Sequence, residues 1–484
     1  MEGYKHGAYG VIQGTGARQA AQGARAVVYV GTAPVHLTAG GAGRVGTPVI
    51  ARDMAAAKNL LGYSDDWASY TLCEPMRAHF ELAGAGPLVF INVLDPVRHK
   101  AAASGDIKIK ASNGRAIIAE AENIYLDSVK ITGKEAGVDF TAFYNHASRS
   151  IVLQELKANA LGGEPEVTYD IIDPSLVTDV DVIGATDGQG INSGLYAVKN
   201  VYQLTGMIPS ELLCPGFSSS PAVHTAMLEN SRQINGHWDA YVRADLPILD
   251  GGNPITLYGA RAWADANGYS DPGETVYFPL ATGLDGRKYH LSVLAAANLQ
   301  LILTAENGIP FKSPSNTDVP ISNLYFGPGN EGRLWDDEMI NTHLNAKGIA
   351  SAAFVSGRWA IWGPHSADYD FTRSGPEGTF ETTRTMLYYL SNDFQTRRAR
   401  DVDEPMSRND LSTMIAEEQA RLDALIKAGC LASGTVFIKA DEIARSDMLK
   451  GDYVFSFKVS TVPLGKSLTA DIAWDSDGFA AYYE

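Results

Sequence analysis

The chain reads as a multidomain α/β (α+β) protein with extended β arms at its termini and an all-β domain inserted near its front. Three observations predict this. Apolar strand-like runs at 26–31 and 87–94 alternate with helical stretches, the pattern of strands covered on both faces. Between about 102 and 182 the pattern changes to short alternating runs separated by turn residues. A long amphipathic helix over 410–428 is followed by strand-like runs that reach the last residue.

The bulk numbers narrow the class. Its 484 residues, 45% hydrophobic and 20% charged, describe a folded chain of several domains rather than a disordered one. Forty-eight glycines point to many turns and a large β content. A net charge of −17 gives no bulk attraction for nucleic acid or anionic membrane, so neither is expected as a partner. Cys73, Cys214 and Cys430 are far apart and odd in number, which argues against a disulfide framework and fits a reducing compartment. The first residues hold no apolar core for a signal peptide. The most apolar long stretch, 291–305, is too short to span a bilayer and carries Asn298 and Gln300, so it is read as a buried helix.

Residues 1–24 are rich in Gly, Ala and Gln, with one apolar patch that includes Tyr9, Val11 and Ile12. They read either as a frayed terminus or as an arm that becomes a strand on a neighbour. Residues 25–98 form the first part of an α/β core: a strand at 26–31, a helix capped by Asp53, a second helix over 66–82 and a strand at 87–94. Residues 99–184 are the inserted β domain. Residues 185–345 continue the core with helices over 191–204, 219–235, 289–306 and 335–344, and strands at 212–214 and 237–242.

No catalytic set emerges from this core. The glycine-rich loop 184–190 lacks the Lys-Ser/Thr of a P-loop. The run from Gly216 to Ser220 lacks the second glycine of a nucleophile elbow, and Asp245 and Asp250 flank Pro247 as turn acids. His290, His343 and His365 share no ligand spacing and read as packed or capping residues. No enzyme activity, metal or cofactor is therefore expected.

Residues 346–460 hold two strands around the Gly357 turn, the second carrying Trp359 and Trp362, and then two helices. Phe380, Leu387, Leu390 and Phe394 share one helical face; Leu411, Met414, Ile415, Leu422, Leu425 and Ile426 share another. Asn409 or Asp410 is the expected cap and Gly429 the left-handed stop. Glu417 with Arg421, and Asp423 with Lys427, are spaced as ion pairs one turn apart. Arg397, Arg398 and Arg400 form the densest basic cluster of an acidic chain, at a helix end that favours positive charge. A strand at 435–438, a short helix over 441–449 and a strand over 452–460 follow. In 461–484, Leu468, Ala470, Ile472 and Trp474 alternate as in a strand, with Phe479 and Tyr482 beyond them. Unpaired strand edges are a liability unless another strand covers them, so both ends look suited to adding strands to a partner's sheet.

Several motifs then fall in order along nearly the whole chain. They are Tyr4-Lys-His-Gly-Ala-Tyr-Gly-Val11, Val28-Tyr-Val-Gly-Thr-Ala-Pro34, Leu213-Cys-Pro-Gly216, Pro310-Phe-Lys-Ser-Pro-Ser-Asn316 and Gly357-Arg-Trp-Ala-Ile-Trp-Gly-Pro-His365. In that order, with the Arg384 helix, Glu404-Pro405 and the helix ending at Gly429, the chain resembles contractile tail sheath proteins of phages, tail-like bacteriocins and related injection systems. It departs in its longer insert and in Trp362-Gly-Pro-His365, where the family more often has a Gly-Asn-x-Thr type sequence.

The resemblance implies stacked hexameric rings of self-copies around an inner tail tube, with baseplate and tail terminator proteins as further partners. It implies assembly in the bacterial cytoplasm and a place in a virion tail or contractile particle. Heterologous contacts that do not close generate such a polymer, and contraction is a repacking between two states of those contacts. Arm strands (Tyr9, Val11, Ile12; Leu468, Ala470, Ile472, Trp474, Phe479, Tyr482) would link copies, Arg397, Arg398 and Arg400 would face the tube, and the insert would lie outside. The competing expectations are an α/β hydrolase-like enzyme, which needs a convergent catalytic set, and a surface-layer-type structural protein.

Overall fold

Two continuous apolar runs, 26–30 and 88–91, and the run 349–353, broken only by the small Ser351, are buried on both faces, and all three lie in one sheet. In the computed structural model, which describes residues 24–101, 103–329, 333–372, 380–438, 451–475, 478 and 482, this sheet has eight strands. They are β1 (Arg25–Gly31), β2 (Val49–Ala51), β3 (Leu88–Asn92), β4 (Ile208–Leu213), β5 (Tyr241–Asp245), β6 (Glu274–Tyr277), β7 (Ile349–Val355) and β8 (Arg358–Trp362). Their order is β2-β3-β1-β4-β5-β6-β7-β8. From β3 to β7 the pairing is parallel, and β2 and β8 close the two sides antiparallel.

Alternate residues of each strand point to opposite faces and build two cores. Tyr29 and Phe90 pack with Leu291, Leu294 and Ala295 of α3 (Leu291–Ala305) on one face. Val28, Val30, Ile91 and Val242 pack with Val223 and Met227 of α2 (Pro221–Ser231) on the other. The short helix α1 (Met54–Leu61) is capped as expected by Asp53, which accepts from the Ala56 N–H at 2.8 Å.

Local readings shift where tertiary bonds replace helical ones. The expected helix over 66–82 is helical only from Cys73 onward, continuing as wider turns over Arg77–Ala83. Before it, the Thr32 N–H donates to Thr71 Oγ1 and the Thr71 N–H to Thr32 Oγ1, so this backbone is satisfied across the chain rather than along it. The expected strand at 237–242 begins only at Tyr241, because the amide of Asn392 holds both the N–H and the C=O of Asp239. The helix expected over 191–204 begins at Gly194 as a tight 3₁₀ segment and ends at Thr205.

Residues 107–168 form two small antiparallel sheets. One has four strands, in the order Ala111–Ser112, Arg115–Ile118, Ser150–Glu155 and Phe140–Asn145; the other orders Ile107–Lys108, Glu166–Thr168 and Lys130–Ile131. They share a core of their own, with Ile118, Ile131, Phe140, Leu153 and Val167 buried. Polar contacts join this core to the sheet body: His36 Nε2 with the Glu122 carbonyl at 2.7 Å, and the Tyr70 hydroxyl donating to Asn123 Oδ1 at 2.9 Å. Burial pushes His36 down to about 4, so it is neutral there.

The last part of the chain is two helices, α4 (Glu381–Arg398) and α5 (Arg408–Lys427), with a hairpin of β9 (Leu431–Ile438) and β10 (Phe455–Thr461). The α5 cap is Ser407, not Asn409 or Asp410. Ser407 Oγ accepts from the Asp410 N–H at 3.3 Å while Asp410 Oδ2 accepts from the Ser407 N–H at 2.8 Å, a reciprocal capping box. Gly429, at φ +76°, is the left-handed stop. The helix expected over 441–449 lies outside the described residues.

Candidate assembly interface

The α4–α5–hairpin module has a thin apolar centre. Met386, Tyr389, Leu390, Leu422, Leu425, Leu431 and Val436 are buried, and Phe455, Phe457 and Val459 pack against them from β10. Phe394 sits 5.5 Å from the rings of both Phe455 and Phe457. Leu387, expected on the same face as Leu390 and Phe394, is instead half exposed. The helix is turned so that Met386 and Tyr389 face inward, where Tyr389 meets Arg25 and Arg421.

Charge does much of the joining between the two helices. The buried carboxylate of Glu418 receives Arg397 through Nη1 and, at 2.7 Å, Nη2, and Arg398 through Nε at 2.8 Å. Burial by itself would push Glu418 up, but the two guanidinium groups outweigh it and hold its carboxyl below the usual range. Arg397 also reaches Asp393 at 2.8 Å, and Arg398 reaches Glu417 at 2.9 Å and Asp401 at 3.2 Å. Arg421 pairs across the helices with buried Asp393 at 2.5 Å and donates to the Tyr389 hydroxyl at 2.9 Å. The expected i,i+4 pairs are therefore replaced: Glu417 goes to Arg398, Arg421 to Asp393, and Asp423 accepts from Gln419. The physical reason is burial. Asp393 and Glu418 lie out of water, where a charge partner is worth more than on an exposed helix face.

Two basic residues tie the module to the sheet. Arg243, at the centre of β5 and fully buried, donates to Glu211 Oε2 at 2.7 Å, the Tyr277 hydroxyl at 2.6 Å and Glu381 Oε2 at 2.8 Å. Glu381 is the first residue of α4, so this buried network fixes where the helix starts on the sheet. Burial pushes Glu211 up to about 7 against the pull of Arg243. Arg25, the first residue of β1, lays its guanidinium 4.0 Å from the Tyr389 ring centroid and donates to the Tyr389 carbonyl at 3.3 Å. Burial draws its pKa down to about 10.

The sequence-selected residues divide into three groups. Tyr9, Val11, Ile12 and Phe479 lie outside the described residues. Leu468, Ile472 and Trp474 are 94, 88 and 82% exposed, and Ala470 is exposed between them. Their stretch, 467–474, is not a strand of any sheet here and makes no backbone hydrogen bond among the described residues. Tyr482 is also exposed. Of the basic cluster, Arg397 and Arg398 are committed to carboxylates of their own chain, while Arg400 is exposed. Sequence reasoning missed Arg25, Arg243 and Gln419, whose partners lie far along the chain or on backbone atoms. The only local signal was an arginine in an otherwise apolar strand, Tyr241-Val-Arg-Ala.

No family model matches the chain. It is 25% identical over 490 residues to the tail sheath protein of Burkholderia phage BcepMu, with 96% of each chain covered. The crystal structure of the sheath tail protein from Desulfitobacterium hafniense superimposes with a TM-score of 0.51 at 9% identity, covering 95% of this chain and 100% of that one. The sheath complex of an extracellular contractile injection system in its contracted state gives a TM-score of 0.47 at 14% identity, covering 59% and 76%. The fold is that of a sheath tail protein. The chain itself is a full-length relative of a phage tail sheath protein, which bears out the resemblance carried by its motifs.

Proposed function

We propose that this chain is a contractile sheath protein of a phage tail or a contractile injection system, a structural subunit and not an enzyme. Copies stack as hexameric rings around an inner tail tube, and contraction of the stack drives the tube through a target envelope. Baseplate and tail terminator proteins bound the two ends of the stack, and the particle is assembled in the bacterial cytoplasm. The observation that carries this reading is the end-to-end relationship to a tail sheath protein.

The chain divides by role. Residues 1–24 and 461–484 are arms that add strands to neighbouring copies. The exposed, backbone-unpaired stretch 467–474 supports this, since eight residues of alternating sequence gain ladder bonds only from another sheet. Residues 25–98, 185–345 and 346–460 form the body, and 99–184 project outward as a domain that assembly does not need. Arg400 is the member of the basic cluster left to face the tube.

Negative-stain electron microscopy of the purified protein, alone and with its tube protein, tests this. Hollow tubes of uniform width are expected from the full chain. A chain truncated after Leu468 is expected to keep its circular dichroism spectrum and to form none. Uniform small particles in the presence of the tube protein would overturn the sheath reading; long tubes from the truncated chain would overturn the arm.

A further inference from the structure

A cavity of about 610 Å³ lies between the main body and the chain that leaves β10. That is the size of a small-molecule site. Four segments line it. The proline-bounded segment 312–316 brings Lys312, and the helix Asp337–His343 brings Asn341. The end of β8 and the loop beyond it bring Trp362 and Phe371, and the segment 464–467 brings Lys466. Among the described residues no carboxylate lines this cavity, in a chain whose net charge is −17. Four smaller cavities each have at least one in their walls: Glu211, Asp245, Glu122 and Glu417.

The groups that line it are held loosely enough to serve a ligand. Lys466 Nζ donates to the Tyr369 hydroxyl at 3.4 Å, a long bond, and lies 5.5 Å from the Phe371 ring centroid. Lys312 pairs with Glu306, which lies outside the lining, and is itself exposed. The Phe371 N–H donates to the Ala346 carbonyl at 3.0 Å, which fixes its backbone, while its ring is 69% exposed. Trp362 is half-buried, and its Nε1–H donates to Asn341 Oδ1 at 2.7 Å. That bond uses the oxygen of the amide and leaves its Nδ2 hydrogens as donors.

We propose that this cavity binds a small ring-bearing phosphate, an aromatic or heterocyclic ring carrying a phosphate monoester. The uncovered surfaces of Trp362 and Phe371 take the flat ring, which leaves water with little ordering cost. Lys312 and Lys466 take the anion. A phosphate monoester carries a charge between about −1.5 and −2 at neutral pH and matches two lysines better than a carboxylate does. The missing carboxylates matter as much as the cations, because a like charge in the wall would repel the ligand. The site is independent of the sheath reading, since it reaches only the first residue of the stretch 467–474.

Pyridoxal 5′-phosphate, which is itself a ring-bearing phosphate, tests the site in the full chain. A lysine Nζ adds to its aldehyde carbon and water leaves, giving an imine. Added borohydride delivers hydride to the imine carbon, water supplies the proton to nitrogen, and the label stays as a secondary amine. Peptide mass spectrometry then reads which lysines carry it. Lys466 is expected to be labelled about tenfold above Lys108 and Lys130, exposed lysines far from the cavity. Phenyl phosphate should remove that excess, while phenol or inorganic phosphate at the same concentration should remove little of it. Phe371→Ala changes an exposed ring, so the circular dichroism spectrum should stay as it is and the Lys466 excess should fall by about threefold or more. Equal labelling of exposed lysines, or an excess at Lys466 that phenyl phosphate does not lower, overturns the site. Equal protection by inorganic phosphate, or an unchanged excess in Phe371→Ala, overturns the ring as part of the ligand.

Discussion

The eight-stranded sheet and the C-terminal module bury their surfaces in opposite ways. The sheet is covered on both faces by apolar layers, and it also covers an edge. On β8, the Ile361 carbonyl accepts from the Asn316 N–H at 2.6 Å, the Ile361 N–H donates to the Thr317 carbonyl at 3.0 Å, and the Trp359 carbonyl accepts from the Val319 N–H at 3.0 Å. The module has a small apolar centre and relies on ion pairs around Glu418 and Asp393. It closes one strand edge with a side chain, and among the described residues no backbone group meets the other. The difference lies in what meets an edge strand: β8 is met by the backbone of 316–319, whereas β9 is met by the Gln419 side chain and, among the described residues, no backbone group meets the outer edge of β10.

The comparison breaks most sharply at the joint between the two regions. Arg243→Ala strands the Glu211 and Glu381 carboxylates in the interior and is expected to cost about 3–5 kcal/mol, read as a lower midpoint in urea unfolding. Limited proteolysis of this variant should cut ahead of α4 before it cuts the sheet. A wild-type midpoint would mean that apolar packing alone seats the helix.

A smaller change sharpens the contrast within the module. Glu418→Gln removes the charge on which Arg397 and Arg398 converge and is expected to cost about 2–3 kcal/mol. The loss should appear as faster amide exchange in α5 and the hairpin, with β1, β4 and β5 unchanged. Equal loss of protection in the sheet would show that the two regions open as one unit.

The smallest expected effects come from pH, and they have opposite signs at Glu418 of the module and His290 of the body. Glu418 is held below its ordinary value of about 4.3, so its stabilisation is complete above that pH and is lost as pH falls through the lower folded value. Acid should therefore loosen the module around Glu418. In the body, burial would lower His290, but the Glu74 carboxylate, 2.6 Å from Nδ1, raises it to about 9. Its stabilisation is complete below an ordinary value of about 6.5 and is lost as pH rises through about 9, so alkali should act around His290. Exchange of the amides next to Glu418 and next to His290, measured at both extremes, checks the signs; loss next to the same residue at both ends would remove the contrast.

What was legible in the chain follows from the range of each interaction. The strands 26–31 and 87–94 and the Gly429 stop depend on neighbouring residues and were read nearly in place. The α5 helix was also read, but its cap was misplaced by a few residues, because Ser407 and Asp410 share the task. The one-turn ion pairs on α5 were misread because spacing is blind to burial: Asp393, 28 residues before Arg421, is the better partner only once α4 lies alongside. Glu211, Arg243 and Glu381 are separated by 32 and 138 residues, and nothing local marks them as one site.

By itself the sequence determined the alternation of strand and helix, the change of pattern at the insert, the alternating C-terminal stretch, and motifs ordered as in tail sheath proteins. All of these are written in periodicity and turn chemistry, which act over a few residues. Tertiary structure alone decided which charges are buried and therefore paired, and how the C-terminal helices sit on the sheet. It also decided that a glutamine of α5 covers one edge of the hairpin, because a side chain's partner is chosen by what folding brings within about 3 Å and away from water.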